Sequence, residues 1–216
     1  MQLFLIFAIP VSYLYFLTIT GQTTASPSIL SRSVAKGAAF SIVALAGVAL
    51  VNRFASVSES GFVYYFVTTL QDLWLPTVLL FGLYSLTLRG LGDLPPSERQ
   101  TALRSFLVGG LTVLSLSDLF LYAGSYSSYH LFLLPTVRIA IILAVPAVFY
   151  LYSSMITWYR YLVLVGLLAL PFAYGVAFWL HAANLGIWSS LATLLMFAGS
   201  AAAAIFAEGG VRALRV

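Results

Sequence analysis

Residues 131–153 read LFLLPTVRIAIILAVPAVFYLYS, an apolar run of 23 residues in which Arg138 is the only charged side chain. About 20 consecutive apolar residues are enough for an α-helix to cross the roughly 30 Å hydrocarbon core of a bilayer. The whole chain shares this composition, since 62% of its residues are hydrophobic and 7% are charged. About a quarter of the residues of an ordinary soluble domain carry a charge. The sequence therefore predicts an integral membrane protein.

Further runs of this kind occupy most of the 216 residues and leave room only for short connections. The predicted helices cover approximately residues 3–19, 34–51, 62–88, 102–123, 131–153, 159–180 and 185–206. The alternation of apolar and polar residues that is typical of a membrane β-barrel is absent from these runs. The predicted fold is all-α, a polytopic membrane protein in which residues 1–216 form a single domain of seven transmembrane helices.

Most basic residues fall on one side of this predicted bundle. They lie near the connections after the first, third and fifth helices and after the seventh: Arg32, Lys36, Arg89, Arg99, Arg104, Arg160, Arg212 and Arg215. The opposite connections contain Arg53, whose charge is offset by Glu59. Because cytoplasmic loops are enriched in Lys and Arg, we predict an external N-terminus and a cytoplasmic C-terminus. The expected location is the cytoplasmic (plasma) membrane, with the lipid bilayer as a partner.

Three ionisable residues lie inside the predicted spans, at similar depth. Asp72 is about 15 Å below the outer end of the third helix, at 1.5 Å per residue. Asp118 and Arg138 are each ten residues from Ser128, so an antiparallel hairpin would hold them at one level. An isolated charge at the centre of a span costs at least about 2.5–3.5 kcal/mol. We therefore predict that the three groups meet in the outer half of the bilayer and that opposite charges pair.

This charged group has two interpretations. A buried ion pair can serve only to fix the register of neighbouring helices. Alternatively, the charges line a polar pocket or an ion or proton relay that opens to the outside. Under the second interpretation, the candidate substrate- or ion-binding residues are Asp72, Asp118, Arg138, Gln71, Trp74 and Tyr122.

Several chemistries find no support in the sequence. The chain has no cysteine and two histidines, which argues against disulfides, cysteine nucleophiles and a histidine-rich metal site. Gly90-Leu91-Gly92-Asp93 matches the GxGD string of intramembrane aspartyl proteases, which need two carboxylates close together. Asp93, however, falls in a predicted cytoplasmic turn about 30 Å from Asp72 along the helix direction. We assign no catalytic residue and predict no metal, no cofactor and no nucleic-acid partner. A lipid-modifying enzyme that uses the buried carboxylates is a third possibility, which requires an acid/base pair whose protonation differs.

The leading hypothesis is a small-solute or ion/proton-coupled transporter. In this hypothesis Asp118 and Arg138 form a paired gate, and Asp72 is an exchangeable partner or a cation-binding carboxylate. Unlike charges at one depth favour this interpretation, together with prolines such as Pro76 that kink the spans.

The alternative is a non-catalytic, receptor-like or accessory membrane subunit that binds a partner protein. The small size of the chain and the alanine-rich tract at residues 198–204 favour this alternative, because small side chains let helices approach closely. The tract serves either packing within the molecule or contact with another copy, which leaves a homo-oligomer open.

Overall fold

The computed structural model describes residues 8–14, 27–54, 61–87, 96–121, 133–154 and 157–213. Within these ranges every regular element is helical, which confirms the predicted all-α class. The helices are α1 (residues 8–14), α2 (Pro27–Phe54), α3 (Gly61–Thr69), α4 (Leu75–Thr87), α5 (Pro96–Leu121), α6 (Leu134–Ser154), α7 (Thr157–Ala182) and α8 (Gly186–Ala213). A π-helical turn, Leu70–Trp74, joins α3 directly to α4.

Two helices begin earlier than the apolar segments predict. α2 begins at Pro27 rather than near residue 34. α5 begins at Pro96, six residues before its predicted apolar run and next to Ser97, where the proline-containing connection predicts a helix start. Proline suits the first turn of a helix because its φ is already helical and no amide hydrogen is needed there. The segments that lead into both apolar runs are therefore helical.

Three helical segments are long and apolar enough to cross a membrane: Pro27–Arg53, Gly61–Leu86 and Gly186–Ile205. Many large apolar side chains point outward in the described part of the chain, and Ile187, for example, is 85% exposed. Such surfaces suit lipid rather than water. The structure thus supports a helical membrane protein, whereas the predicted seven spans and their orientation remain predictions.

α5 lies at the centre of the bundle, and every residue from Gln100 to Leu111 is buried. Its closest neighbour is α2, which it meets at three glycines, Gly37, Gly109 and Gly110, here called the glycine seam. A Cβ atom on Gly109 would overlap the carbonyl oxygen of Val34 in α2. The two backbones therefore approach more closely than any larger residue permits.

Side-chain contacts define the two ends of the bundle. At the end that we call upper, the rings of Phe62 in α3 and Trp179 in α7 lie with centroids 6.3 Å apart. At the opposite, lower end, the Tyr84 hydroxyl donates to the carbonyl of Arg99 at 3.2 Å. The start of α5 is thus at the lower end, and α5 runs toward the upper end.

Candidate functional site

The candidate site is built around an ion pair between α5 and α6 in the upper half of the bundle. Arg138 Nη2 lies 2.6 Å from Asp118 Oδ2. Arg138 is buried, whereas the Asp118 side chain is 21% exposed. The predicted pairing is confirmed, and it follows from the equal spacing of both residues from the connection between their helices.

Ser115 completes the environment of the guanidinium. Arg138 Nη1 donates a hydrogen bond to Ser115 Oγ at 2.7 Å, and this hydroxyl donates to the Leu111 carbonyl at 3.0 Å. Ser115 and Asp118 are three residues apart, so they lie on one face of α5 and present two acceptors to one arginine. The sequence places Ser115 in the same outer half as the three charged residues and predicts it as a further contributor to the pocket, in agreement with this hydrogen bond.

The guanidinium is not saturated by these two contacts. Arg138 Nε is buried and has no hydrogen-bond partner among the described residues. The contact of Nη2 with Asp118 Oδ2 also lies outside hydrogen-bonding geometry, so charge holds this pair rather than an aligned hydrogen bond. Arginine has five N–H donors, and the site therefore retains capacity to bind a further acceptor.

The π-helical turn carries the second carboxylate, Asp72, to this site. Asp72 lies within electrostatic reach of both Asp118 and Arg138, and its carboxylate is within hydrogen-bonding reach of the Asn52 side chain. Its side chain is exposed. Asn52 belongs to the last turn of α2, which ends at Phe54, so Asp72 is close to the level where α2 ends. Of the three charged groups that the sequence predicts to meet, Asp118 and Arg138 are thus in contact, and Asp72 lies within electrostatic reach of both.

The π turn changes the pattern of backbone hydrogen bonds beside Asp72. The Leu75 amide donates to the Leu70 carbonyl, five residues back, instead of continuing the α-helical pattern. The next residue, Pro76, has no amide hydrogen to offer to the carbonyl of either Gln71 or Asp72. Short π turns within α-helices occur frequently at functional sites. The π turn and Pro76, where the sequence predicts a kink, therefore lie next to the carboxylate of Asp72.

The remaining predicted site residues have different positions. Gln71 is half-buried on the π turn. Trp74 is buried, and its ring packs against Tyr174 of α7 with centroids 6.1 Å apart. The Trp74 Nε1 has no hydrogen-bond partner in the described part of the chain. Tyr122 lies outside the described residues.

The composition of the site limits its chemistry. One guanidinium and two carboxylates can bind a cation or proton at the carboxylates and an oxyanion at the arginine. Within the described ranges, no group of three or more His, Cys, Asp or Glu side chains could hold a metal ion. The guanidinium and the two carboxylates are groups that can bind charged ligands.

Comparison of the chain with known protein families, curated proteins and solved structures finds no match. The functional assignment consequently depends on the geometry of the site and on the character of its helices.

Proposed function

We propose that this chain is a multi-pass protein of the cytoplasmic membrane that transports a small solute or ion, coupled to a proton or another cation. The observation that carries the proposal is the exposed carboxylate of Asp72, within electrostatic reach of the Asp118–Arg138 pair. Ionisable groups inside membrane proteins usually mark ion and substrate pathways, since lipid disfavours them elsewhere.

In the proposed topology, all seven predicted segments cross the bilayer and the upper end faces the outside. The positive-inside rule supports this orientation, because most basic residues of the chain fall near the connections of the lower end. The site then lies in the outer half, with Asp72 as its most accessible charge.

The charges of the site suggest how two ligands are coupled. Arg138 neutralises Asp118, so the negative charge of Asp72 remains. That charge attracts a proton or a monovalent cation from outside. Once Asp72 is neutralised, the site no longer repels an anionic solute, and the spare donor of Arg138 can bind it. Cation and anionic solute thus favour each other's binding, which is the requirement for symport.

Flux measurements on purified protein in liposomes test this proposal. Proteoliposomes loaded with a pH-sensitive dye receive an inward sodium gradient as sodium chloride, sodium phosphate or sodium succinate. We expect wild-type protein to give cation-dependent proton or anion entry, and Asp72→Asn and Arg138→Gln to abolish it. Arg53→Gln, which removes an exposed charge at the end of α2, is the matched control and keeps the flux. Wild-type flux in both site variants would contradict the assignment.

A second candidate function, an accessory subunit, is favoured by the surface of α8. Ala204 is buried against α6, so one face of the small-residue tract packs within the molecule. Ala198, Gly199 and Ala202 are exposed, and a Cβ on Gly199 would meet nothing within 4 Å. That face is open to another helix. Stable co-purification with one further membrane protein, lost on Gly199→Leu, would support this function in place of autonomous transport.

A further inference from the structure

The helices of the bundle form two groups according to their main packing partners. In the first group α2 packs against α5 and α4, and α4 also packs against α5. In the second group α8 packs against α6 and α7, and α7 also packs against α3 and α6. We call the first group, together with α1, the seam unit, and the second group the α7 unit. The extensive contact between helices of the two units is that of α5 with α6.

Close contacts hold the seam unit together along its length. The glycine seam brings the backbones of α2 and α5 into contact. Lower in the bundle, the rings of Tyr84 in α4 and Phe106 in α5 lie with centroids 5.2 Å apart. Tyr13 of α1 places its hydroxyl 2.9 Å from Ser105 Oγ in α5, so α1 belongs to this unit. Because close-packed surfaces resist deformation, we expect these helices to move together.

The α7 unit has its own contacts and its own core. Ser189 of α8 donates a hydrogen bond to the Ala177 carbonyl of α7 at 2.7 Å. The rings of Phe62 in α3 and Phe172 in α7 lie edge to face with centroids 5.5 Å apart. Below Arg138, a separate apolar cluster consists, among the described residues, of side chains from α6 and α8 only, and its buried members are Leu143, Ala147 and Ala204.

The two units meet at the upper half of α6. There Arg138 contacts Asp118 and Ser115 of α5 at 2.6 and 2.7 Å. Val137 and Ile141, on either side of Arg138 in α6, belong to the main apolar core together with side chains of α5. Apolar contact is non-directional, whereas the charged contact fits one arrangement of the two helices. The ion pair therefore specifies how the units are placed relative to each other.

The π turn is a chain connection between the units, since α3 belongs to the α7 unit and α4 belongs to the seam unit. Directly after the turn, Pro76 has no amide hydrogen, and Thr77 Oγ1 donates to the Leu73 carbonyl at 2.7 Å. Prolines, π turns and threonine bonds to a preceding carbonyl are established causes of bending in helices. Asp72 lies on this turn, so bending there moves its carboxylate.

We propose that the seam unit and the α7 unit rotate against each other about the π turn, and that the Asp118–Arg138 pair is the latch that holds their upper halves together. An oxyanion solute that binds the Arg138 guanidinium competes with Asp118 for the same charge. A proton or cation at Asp72 removes a second negative charge that lies within electrostatic reach of Arg138. Both ligands thus favour the open arrangement over the latched one, as a ligand-driven change requires. This inference rests on the proposed transport function for its role, but the movement can be measured without transport.

Distances between pairs of spin labels test the movement, and the absence of native cysteine lets each pair be attached to two introduced thiols. Leu50→Cys/Ile187→Cys places one label near the upper end of each unit, in α2 and α8, and is called the upper pair. Leu50→Cys/Leu86→Cys lies within the seam unit, and Val63→Cys/Ile205→Cys lies within the α7 unit. All these positions are exposed. The distances are measured by double electron–electron resonance in liposomes.

Asp118→Asn is expected to shift the mean distance of the upper pair by more than about 2 Å, while the pairs within one unit keep their distances. In wild type, sodium phosphate or sodium succinate is expected to cause this shift relative to sodium chloride of equal ionic strength. In Arg138→Gln the latch is already lost, so the shifted distance is expected in all three salts. Arg53→Gln, which removes an exposed charge outside the latch, is the matched control and keeps the wild-type distance.

Ser115→Ala covers failure of Asp118→Asn to fold, since it removes one contact of Arg138 and is expected to broaden the distance distribution of the upper pair. Equal changes within the units would overturn the division into two units. An unchanged upper pair in every folded latch variant would overturn the latch, and a shift in the variants without a response to either anion would overturn release by an oxyanion. A shift without flux would leave the latch standing and refute the transport function, whereas flux with a fixed upper pair would do the reverse.

Discussion

Asp118→Asn is expected to lower the free energy of unfolding by about 3 kcal/mol, because it leaves the Arg138 charge buried without its counter-charge. Arg138 is 3% exposed, and its Nη2 lies 2.6 Å from Asp118 Oδ2, so water cannot easily replace the lost carboxylate charge. Loss of one partner of a buried pair typically costs about 3–5 kcal/mol. The lower value applies here because the Asp118 side chain is 21% exposed.

Two matched variants separate charge from hydrogen bonding. Ser115→Ala removes the 2.7 Å bond from Arg138 Nη1 and leaves the ion pair, so a loss of about 1.5 kcal/mol is expected. The double variant Asp118→Leu/Arg138→Met removes both charges at similar volume. It is expected to be at least as stable as wild type, because apolar replacement of a buried pair is often neutral or stabilising.

The assay is reversible unfolding in mixed micelles of mild detergent and sodium dodecyl sulfate, followed by the fluorescence of the four tryptophans. The double variant is expected to be at least as stable as wild type. Ser115→Ala should be less stable than wild type, and Asp118→Asn should be the least stable of the four proteins. The reasoning is refuted if Asp118→Asn is no less stable than Ser115→Ala. It is equally refuted if the double variant is as unstable as Asp118→Asn, since the buried unpaired charge would then not be the cause.

Three further predictions concern individual backbone and side-chain positions. Asp72→Asn is expected to abolish flux. It should change the free energy of unfolding by less than about 0.5 kcal/mol, because Asp72 is exposed. A larger loss of unfolding free energy would indicate that Asp72 has a structural role. Gly109→Ala is expected to lower the free energy of unfolding by about 1–3 kcal/mol, because the new Cβ would overlap the Val34 carbonyl. Gly82→Ala is expected to raise it by about 0.5–1 kcal/mol, because a Cβ there meets nothing within 4 Å. Equal effects of the two substitutions in the same unfolding assay would contradict the close approach at the glycine seam. Pro76→Ala restores an amide donor directly after the π turn and is expected to reduce flux into dye-loaded liposomes. Circular dichroism should show that the variant keeps its helical fold. Unchanged flux would show that the π turn is not required for function.

The ion pair could be predicted from sequence because two local rules agree. Residues at equal distance from a tight connection lie at equal depth in an antiparallel pair of helices, and a buried arginine favours a nearby carboxylate. Asp118 and Arg138 satisfy both conditions, and the structure brings them together. The predicted depth of Asp72 came from its spacing from the start of the third helix, whereas its closeness to Asn52 in the last turn of α2 is a tertiary contact that this spacing cannot show.

The burial of Arg104 and the glycine seam could not be predicted in the same way. Arg104 follows a proline-containing connection, where a basic residue ordinarily marks the cytoplasmic edge of a span. Its burial depends on α1 and on the neighbours of α5, which are tertiary contacts. Gly37 and Gly109 are 72 residues apart in the sequence, and no pattern within either helix identifies them as neighbours. Helix-crossing geometry is set by pairs of surfaces, so single-helix periodicity does not determine it.

The glycine seam also restricts how the helices around the Arg138 site could move during the proposed transport. The seam holds α2 against α5 at Gly109, six residues before Ser115. Because the two backbones are in contact there, α2 cannot move closer to α5. In the proposed transport function, movement around α5 would therefore come from its other neighbours. α6 carries Arg138, so movement of α6 would change the site directly while α2 and α5 stay together.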